Sequence, residues 1–304
     1  MEPGLAISVR GLRKRYGDAE VVGGVDFDVA TGEVFGFLGP NGAGKTTTIE
    51  ILEGYRSRTE GEVSVLGTDP AHPTAAWRER LGLVLQECEL DPLLTVSETL
   101  RLFSSFYRSP RPVAETVAMV GLEDKRDARA GTLSGGQRRR LDVAVALVGR
   151  PELVFLDEPT TGFDPSARRE AWTMIEGLKA AGTTVFLTTH YLDEAQHLAD
   201  RVAILCAGTI VASGRPGELG REGRMSLISF RLPDGIHAEE VGRRVRGADV
   251  ESAGSLVTLR AHDAQEALWR LTNWAHESHL HLDGLEVRRP SLEDAFLELT
   301  GEPG

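Results

Sequence analysis

The sequence has 304 residues, which is enough for two domains of ordinary size. Its 41% hydrophobic and 26% charged residues are typical of a globular protein and exclude charge-rich disorder and collagen-like repeats. The net charge of −12 opposes binding to nucleic acid and anionic lipid, and the longest uncharged stretches, Ala180–Leu192 and Val202–Gly214, are too short to cross a bilayer as a helix. The isolated cysteines Cys88 and Cys206 have neither metal-ligand spacing nor a disulfide pattern, so we expect a protein of the reducing cytosol.

The first 220 residues alternate between predicted strands and helices. The short apolar runs Val34–Leu38, Leu153–Leu156 and Thr184–Leu187 predict buried strands, and helical patterns with Gly and Pro turns separate them. Buried strands that alternate with helices indicate a largely parallel sheet covered on its faces. Residues 1–220 are therefore predicted to form an α/β domain.

Residues 221–304 follow a glycine-rich stretch and have a different pattern. The predicted elements are, in order, the strand Met225–Leu232, the helix His237–Val245, strands at Val250 and Ser255–Leu259, the helix Asp263–Ala275 and the strand His279–Val287. This β-α-β-β-α-β order predicts a small C-terminal α+β domain of the ferredoxin-like type.

Residues 39–46 match the pattern G-x-x-x-x-G-K-[ST] of phosphate-binding loops, between a predicted strand and a helix predicted from Lys45. The glycines let backbone N–H groups wrap round a phosphate, Lys45 neutralises its oxygens, and the Thr46 hydroxyl is a ligand for Mg²⁺. The alternative, a glycine-rich turn with an accidental lysine, does not explain this strand–loop–helix context. The predicted nucleotide-binding residues of the loop are Gly39, Asn41, Gly42, Ala43, Gly44, Lys45, Thr46 and Thr47.

Two acidic residues follow the predicted strand Leu153–Leu156. Asp157, at the carboxyl end of this strand, suits the outer shell of a Mg²⁺ ion. Glu158 is placed to polarise a water molecule that attacks a phosphate. Two solvated carboxylates at a strand end are the common alternative, but beside a phosphate loop the sequence favours the catalytic interpretation.

The segment Leu133-Ser134-Gly135-Gly136-Gln137 is highly specific to one family. With the phosphate loop and the two acids, it resembles the ATP-binding cassette ATPases, the nucleotide-binding subunits of ABC transporters, over residues 5 to about 220. The resemblance implies a P-loop NTPase fold with a RecA-like core and a helical subdomain. Further family markers are Tyr16, Gln86, Thr161-Gly162-Phe163-Asp164 and His190. The family more often has Ser-Gly-Leu-Asp at 161–164, a departure from which we expect altered packing and not lost activity.

The resemblance implies ATP and Mg²⁺ as cofactors and a role for each marker. The Tyr16 ring stacks on adenine, Gln86 contacts Mg²⁺ and the attacking water, and His190 hydrogen-bonds the γ-phosphate. The expected catalytic residues are Lys45, Gln86, Glu158 and His190. The expected Mg²⁺ residues are Thr46, Gln86 and Asp157. The expected nucleotide-binding residues outside the loop are Tyr16, Ser134, Gly135, Gly136, Gln137 and Asp164.

Cassettes of this family pair head to tail, so the resemblance implies a homodimer that encloses two ATP molecules. Residues Ser134–Gln137 of one subunit then face the γ-phosphate bound by Lys45 of the other. A physical reason supports this pairing, because Ser134-Gly135-Gly136 opens a predicted helix whose dipole and N–H groups favour an anion. One chain needs one anion site per nucleotide, yet this chain carries two, as a dimer with shared sites requires.

The tail Arg289–Gly301 resembles the ending of ATPases of the ABC-2 exporter group, which includes daunorubicin-resistance drug efflux ATPases. The resemblance implies an ATPase that powers export of a drug-like or lipid-like substrate through separate ABC-2 membrane subunits. We expect these subunits to dock near Gln86–Tyr107, with an apolar anchor from Leu90, Leu93 or Leu94, so that the ATPase lies in the cytoplasm at the inner face of the membrane. The substrate and the role of residues 221–304 stay open.

Other interpretations have weaker support. Arg138-Arg139-Arg140 suggests nucleic acid, but in a protein of net charge −12 a solvated helix face beside bound phosphates is the better interpretation, and we predict no nucleic-acid partner. His276, His279 and His281 lack a carboxylate or cysteine partner at ligand spacing, which makes them weak evidence for zinc. The alternative functions are a non-transport cassette ATPase of translation or DNA repair, whose members carry two cassettes or long coiled coils, and an importer subunit, which more often has a β-rich tail.

Overall fold

The computed structural model describes residues 4–84, 90–219, 225–233, 235–288, 292–294 and 296. The chain divides into two compact units, Met1–Pro216 and Gly217–Gly304. The boundary between the units therefore lies slightly before residue 220, where the sequence places the end of the first domain.

The helices and strands have the following bounds. The strands are β1 (Leu5–Tyr16), β2 (Ala19–Ala30), β3 (Val34–Leu38), β4 (Glu60–Val65), β5 (Leu81–Val84), β6 (Leu153–Asp157), β7 (Thr184–Thr189), β8 (Arg201–Cys206), β9 (Thr209–Gly214), β10 (Ser226–Arg231), β11 (Ala248–Ala253), β12 (Leu256–Ala261) and β13 (Asp283–Arg288). The α-helices are α1 (Lys45–Leu52), α2 (Ala75–Arg78), α3 (Val96–Ser104), α4 (Val113–Met119), α5 (Gly135–Leu147), α6 (Pro165–Ala180), α7 (Leu192–Leu198), α8 (Pro216–Leu219), α9 (Ala238–Arg244) and α10 (Ala264–Glu277).

A parallel sheet forms the centre of the first unit. Among the residues that the structure describes, its six strands have the order β5-β6-β7-β3-β8-β9, and all neighbours are parallel except the hairpin β8–β9 at one edge. Strands β3 and β7 are buried along their whole length. Because both faces are covered, β3 is an apolar run throughout, and β7 has the apolar centre Val185-Phe186-Leu187 between buried threonines. The α/β prediction is confirmed.

A cluster of phenylalanine rings packs the core beside this sheet. The ring of Phe186, in β7, lies 5.5 Å from that of Phe37 and 5.7 Å from that of Phe35, both in β3. It also lies 6.0 Å from the ring of Phe27, in β2 of an antiparallel sheet whose described strands have the order β2-β1-β4. Aromatic pairs at these distances contribute packing and quadrupole attraction. This cluster holds together the strands whose carboxyl ends carry the predicted phosphate and switch residues.

A helical subdomain precedes β6. Helices α3, α4 and α5 share an apolar core with buried members such as Leu100, Val117 and Leu141. Helix α3 begins with a capping box, in which the Thr95 hydroxyl accepts from the Glu98 N–H and the Glu98 carboxylate accepts from the Thr95 N–H. The predicted combination of a sheet core and a helical subdomain is confirmed.

The second unit is an α+β arrangement. Its described strands form an antiparallel sheet in the order β11-β12-β10-β13, and the buried residues Phe230, Leu271 and Trp274 belong to its core. The elements follow the predicted β-α-β-β-α-β order. The ferredoxin-like assignment stays a prediction. In the described part of the chain, every helix is too short or too polar to cross a membrane.

Candidate functional site

The phosphate-binding segment connects the carboxyl end of β3 to the N-terminus of α1. Close backbone contacts require its glycines. A Cβ atom on Gly39 would lie 2.2 Å from the carbonyl oxygen of Leu205, and one on Gly44 would lie 2.7 Å from that of Val21. Gly44 also has a φ of 104°, in the left-handed region that glycine favours. A larger residue at either position is therefore incompatible with the path of this loop.

Lys45 places a positive charge inside this loop. Its ammonium donates hydrogen bonds to the carbonyl oxygens of Gly39 at 2.5 Å and Pro40 at 3.0 Å, and the residue is 8% exposed. A cation and a helix N-terminus that meet in one loop form an arrangement suited to an anion. Of the other predicted loop residues, the exposed ones are Asn41, Gly42 and Thr46, the half-buried one is Thr47 and the buried ones are Gly39, Ala43 and Gly44.

The two predicted acids lie at the carboxyl end of β6, next to β7. Asp157 pairs in register with Thr188, and the Thr188 hydroxyl donates a hydrogen bond to Asp157 Oδ1. The following Glu158 has a φ of 46°, and its N–H donates to the carbonyl oxygen of Thr188 at 3.1 Å. A non-glycine residue in this left-handed region is strained, and such residues cluster at functional sites. The hydrogen bond to β7 thus holds the backbone of Glu158 in a turn, in place of the extended conformation of β6.

Glu158 and His190 meet, as the sequence predicts for catalytic residues of one site. His190 follows β7, and its Nδ1 lies 3.4 Å from Glu158 Oε2. The Thr161 hydroxyl donates to the same oxygen at 3.1 Å. Thr161 is a contact that sequence reasoning did not assign, although its position three residues after Glu158 was the available signal. The carboxylate is therefore oriented from two sides, and the Glu158 side chain is only 15% exposed.

A buried carboxyl group that the sequence analysis missed lies near this edge of the sheet. Burial, with smaller contributions from the charges of Asp157 and Glu50, raises the pKa of Glu53, the residue that follows α1, to about 8. At neutral pH, Glu53 is therefore mainly protonated. It adds little negative charge beside Asp157 in a site that is built for anions.

The segment specific to the family forms the N-terminus of α5. Ser134 is the N-cap, its hydroxyl accepts from the Gln137 N–H at 3.3 Å, and the Gln137 side chain accepts from the Ser134 N–H at 3.0 Å. Gly135 is exposed and Gly136 is half-buried. The sequence therefore forms a second helix N-terminus whose first two residues are glycines, and its role as a second anion site stays a prediction.

A cleft of about 920 Å³ lies beside this helix start. Ser134, Gln137, Glu158, Thr161 and Asp164 are among its lining residues, whereas none of residues 39–47 is. The Asp164 carboxylate caps α6 through hydrogen bonds from the Ser166 and Ala167 N–H groups, at 2.8 and 2.9 Å. A contact between Asp164 and nucleotide stays a prediction, because in this structure the side chain serves the helix.

Arg139 and Arg140 of the basic triplet make contacts within the domain. Arg139 Nη2 donates to the carbonyl oxygen of Asp157 at 2.8 Å, which ties α5 to the end of β6. Arg140 Nη2 lies 3.3 Å from Glu170 Oε2. Burial raises the pKa of Asp142 to about 6, although Arg139 and Arg138 favour the ionised form. The side chains of Arg139 and Arg140 are 12% and 23% exposed, so these two residues do not form the solvated helix face expected from the sequence; their contacts within the domain replace it.

Tyr16 ends β1 and is 42% exposed. The ammonium of Lys14 lies 5.0 Å from its ring centroid, and the guanidinium carbon of Arg56 lies 5.5 Å away. The ring is therefore partly exposed and makes cation–π contacts within the domain, and its stacking on adenine stays a prediction. Gln86 lies outside the described residues. In the described part of the chain, no three His, Cys, Asp or Glu residues gather as a metal site, and the histidines stay weak evidence for zinc.

Comparisons with known proteins point to one family for both units. The family described as ABC transporter matches residues 22–161. The family described as ABC transporter domain-containing protein-like, C-terminal domain, matches residues 226–291. Among solved structures, an ATP-binding cassette of an ABC transporter in its ADP conformation has a TM-score of 0.64 and 25% identity, covering 71% of this chain and 92% of that chain. A dimeric ATP-binding cassette in a post-hydrolysis state, bound to ADP and Pi, has a TM-score of 0.61 and 25% identity, covering 69% and 98%.

Two relatives match nearly the full chain. The daunorubicin/doxorubicin resistance ATP-binding protein DrrA of Streptomyces peucetius is 38% identical over 99% of this chain and 94% of that protein. Nod factor export ATP-binding protein I of Ralstonia nicotianae is 40% identical over 97% of this chain and 94% of that protein. Neither name supports the translation or DNA-repair alternative. This chain belongs to the ATP-binding subunits of ABC transporters, the cassettes that bind and hydrolyse ATP.

Proposed function

We propose that this ATPase powers export of a drug-like or lipid-like substrate through separate membrane subunits. The observation that carries the proposal is one site in which a phosphate loop, Glu158 and His190 lie at neighbouring strand ends. The export assignment draws on the relatives, which are named for drug resistance and for Nod factor export and match nearly the full chain.

ATP fits the loop by charge and shape. Its phosphates replace the carbonyl oxygens of Gly39 and Pro40 as partners of the Lys45 ammonium, while loop N–H groups bind the remaining oxygens. The adenine stacks on the exposed Tyr16 ring. Lys45 thereby offsets the negative charge that develops on the phosphate oxygens during hydrolysis.

The oxygen donors present also fit a magnesium ion. The Thr46 hydroxyl is exposed at the start of α1, and the Asp157 carboxylate is half-buried at the end of β6. Hydroxyl, amide and carboxylate oxygens are ligands that Mg²⁺ accepts, in a first shell completed by water and phosphate. Thr46, Gln86 and Asp157 are the residues that hold the ion in this proposal, and when bound it supplies positive charge to the phosphate oxygens.

Glu158 acts on the attacking water. Its carboxylate takes a proton from water as the water oxygen bonds to the γ-phosphorus, and the bond from that phosphorus to the β–γ bridging oxygen breaks, which leaves ADP and phosphate. His190 and Thr161 hold Glu158 Oε2 in place before the reaction. His190 also donates a hydrogen bond to the γ-phosphate.

The proposed active assembly is a head-to-tail dimer. The capped N-terminus of α5 and the phosphate loop are two anion sites of one chain, and the cleft beside α5 excludes residues 39–47 from its lining. A second subunit that presents Ser134 to the nucleotide bound by Lys45 uses both sites. A solved cassette that resembles this chain is dimeric.

The proposed docking surface for an ABC-2 membrane subunit is Gln86–Tyr107, of which residues 90–107 are described. Leu93 and Phe106 are 71% and 67% exposed, large apolar side chains that gain from burial against a partner. Leu90 and Leu94 are half-buried. Through this surface the ATPase associates with the inner face of the membrane from the cytoplasm.

Replacement of Glu158 by Gln tests the catalytic assignment. Glutamine keeps the size of the side chain but does not take a proton, so kcat for ATP hydrolysis should fall at least about 100-fold while ATP still binds. Glu62→Gln, an exposed residue of β4, is the matched control and should keep wild-type turnover. Wild-type turnover of Glu158→Gln would contradict the role of Glu158. Co-purification of polytopic membrane proteins in detergent tests the transport assignment separately, and ribosomes or DNA in their place would overturn it.

A further inference from the structure

Besides Glu158, His190 contacts Tyr191 at an interplanar angle of 41°, and Tyr191 in turn contacts Arg168; these two side chains are called the stack below. The ring of Tyr191 lies 4.1 Å from that of His190. The guanidinium carbon of Arg168 lies 4.1 Å from the Tyr191 ring centroid, which is a close cation–π contact. The Tyr191 backbone is fixed as well, because its N–H donates to the Thr189 hydroxyl at 2.9 Å.

Arg168 is itself firmly placed. It lies in the first turn of α6, whose N-terminus is capped by Asp164, and its side chain is 22% exposed. Arg168 Nη1 lies 3.4 Å from Asp193 Oδ2, in the first turn of α7. In the described structure its buried Nε has no hydrogen-bond partner, so the ring contact and the Asp193 ion pair are its described interactions.

A second contact attaches the helix after His190 to α6. The indole N–H of Trp172, in α6, donates to Glu194 Oε1, in α7, at 3.2 Å. Glu194 is fully buried, and burial raises its pKa. The chain after His190 is therefore attached to α6 at two points, Tyr191 and Glu194.

These contacts connect both described neighbours of one carboxylate oxygen to the same helix, α6. Glu158 Oε2 has two neighbours, Thr161 Oγ1 at 3.1 Å and His190 Nδ1 at 3.4 Å. Thr161 belongs to the loop that leads into α6, and His190 reaches α6 through Tyr191 and Arg168. Both groups that orient the catalytic carboxylate thus depend on the position of one helix.

We propose that Arg168 and Tyr191 are positioning residues, which hold His190 against Glu158 and couple this pair to α6. The proposal rests on the proposed function of Glu158 and His190. A shift of α6, whose first residues line the cleft beside α5, moves both partners of Glu158 Oε2 together. The stack therefore sets the fraction of molecules in which the carboxylate is oriented for hydrolysis.

The test measures ATPase kinetics of variants that break or keep the stack. Arg168→Met retains the aliphatic stem but removes the cation, so kcat should fall about 10-fold while KM for ATP changes less than about 2-fold, because the phosphate loop is untouched. Tyr191→Leu should behave in the same way. Arg168→Lys and Tyr191→Phe keep a cation and a ring, and each should restore at least half of the wild-type kcat.

Two controls separate positioning from stability. Arg169→Met and Lys179→Met each remove an exposed cation of α6 that does not belong to the stack; both should keep the wild-type kcat. A general weakening of the fold lowers Tm and active fraction without the recovery by Lys and Phe. If Arg168→Met does not fold, the comparison of Tyr191→Leu with Tyr191→Phe decides.

The outcomes distinguish the positioning role of Arg168 and Tyr191 from the proposed catalytic function of Glu158. Wild-type kcat in Arg168→Met and Tyr191→Leu, together with an inactive Glu158→Gln, overturns the positioning role alone. An active Glu158→Gln overturns the proposed function. Equal loss of kcat in Tyr191→Leu and Tyr191→Phe also overturns the positioning role, because retaining the aromatic ring then does not preserve activity.

Discussion

At the scale of single residues, a strained backbone positions the side chain of Glu158. Glu158 has a φ of 46° directly after a strand, and the hydrogen bonds of its N–H to Thr188 hold it there. Without this turn, the side chain would continue the alternation of β6. The strain thus places a carboxylate where Thr161 and His190 reach it.

Asp142 gives a prediction about pH. Burial raises its pKa from 3.8 to about 6. Between these values the folded state binds more protons than the unfolded state, so stability falls as pH rises from about 4 to 6 and stays reduced above. Asp142→Asn removes the cost of burying an ionised carboxylate. Its free energy of unfolding should therefore exceed that of the wild type by about 1–3 kcal/mol at pH 7.5.

Denaturant unfolding at pH 7.5 and pH 4 checks this expectation, with the exposed Asp127→Asn as control. The difference between Asp142→Asn and wild type should shrink at pH 4, where the native carboxyl is protonated. A destabilised Asp142→Asn at pH 7.5 would show that the contact with Arg139 outweighs the burial of charge.

At the scale of elements, α3 and α5 begin in the same way but are predicted to differ in function. Both have a capping box, at Thr95 with Glu98 and at Ser134 with Gln137. The local pattern S/T-x-x-E/Q therefore determines where each helix begins. Only the N-terminus of α5 is assigned to a nucleotide.

Thr95→Ala and Ser134→Ala form a matched pair that tests this difference. Each loses one cap hydrogen bond and should cost about 1 kcal/mol, or about 3 °C in Tm. Thr95→Ala should retain wild-type kcat, whereas Ser134→Ala should lower it several-fold. Calorimetry and steady-state ATPase assays measure both effects. Equal turnover in the two variants would refute the assignment of Ser134 to the nucleotide.

At the scale of the whole molecule, the placement of two anion sites on one chain predicts nucleotide-dependent association. Glu158→Gln, which binds ATP without turning it over, should shift from monomer to dimer at saturating Mg-ATP, because bound ATP favours the closed state. Size-exclusion chromatography with light scattering measures the shift. Lys45→Ala should stay monomeric, since it lacks the phosphate contact. A monomeric Glu158→Gln, even with the membrane subunit present, would disprove the shared-site assembly.

Local patterns were sufficient for much of this protein. The glycines around Lys45, the apolar run before Asp157 and the capped start at Ser134 are short-range signals, because the geometry of a loop, a strand or a helix start depends on residues within a few positions. The order of elements in the second unit followed from periodicity in the same way. The dimer, the Tyr16 stack and the docking surface depend on molecules outside the chain and stay predictions.

Other features required the folded chain. Thr188 bonds Asp157 because β6 and β7 are parallel neighbours, and Arg168 covers Tyr191 because α6 packs beside α7; each pair is more than 20 residues apart in sequence. The raised pKa values of Glu53 and Asp142 come from burial, which no residue type reveals by itself. The identity and local spacing of residues determine which chemical groups the site contains. The orientation and protonation of these groups depend on which distant segments exclude water and supply hydrogen-bond partners.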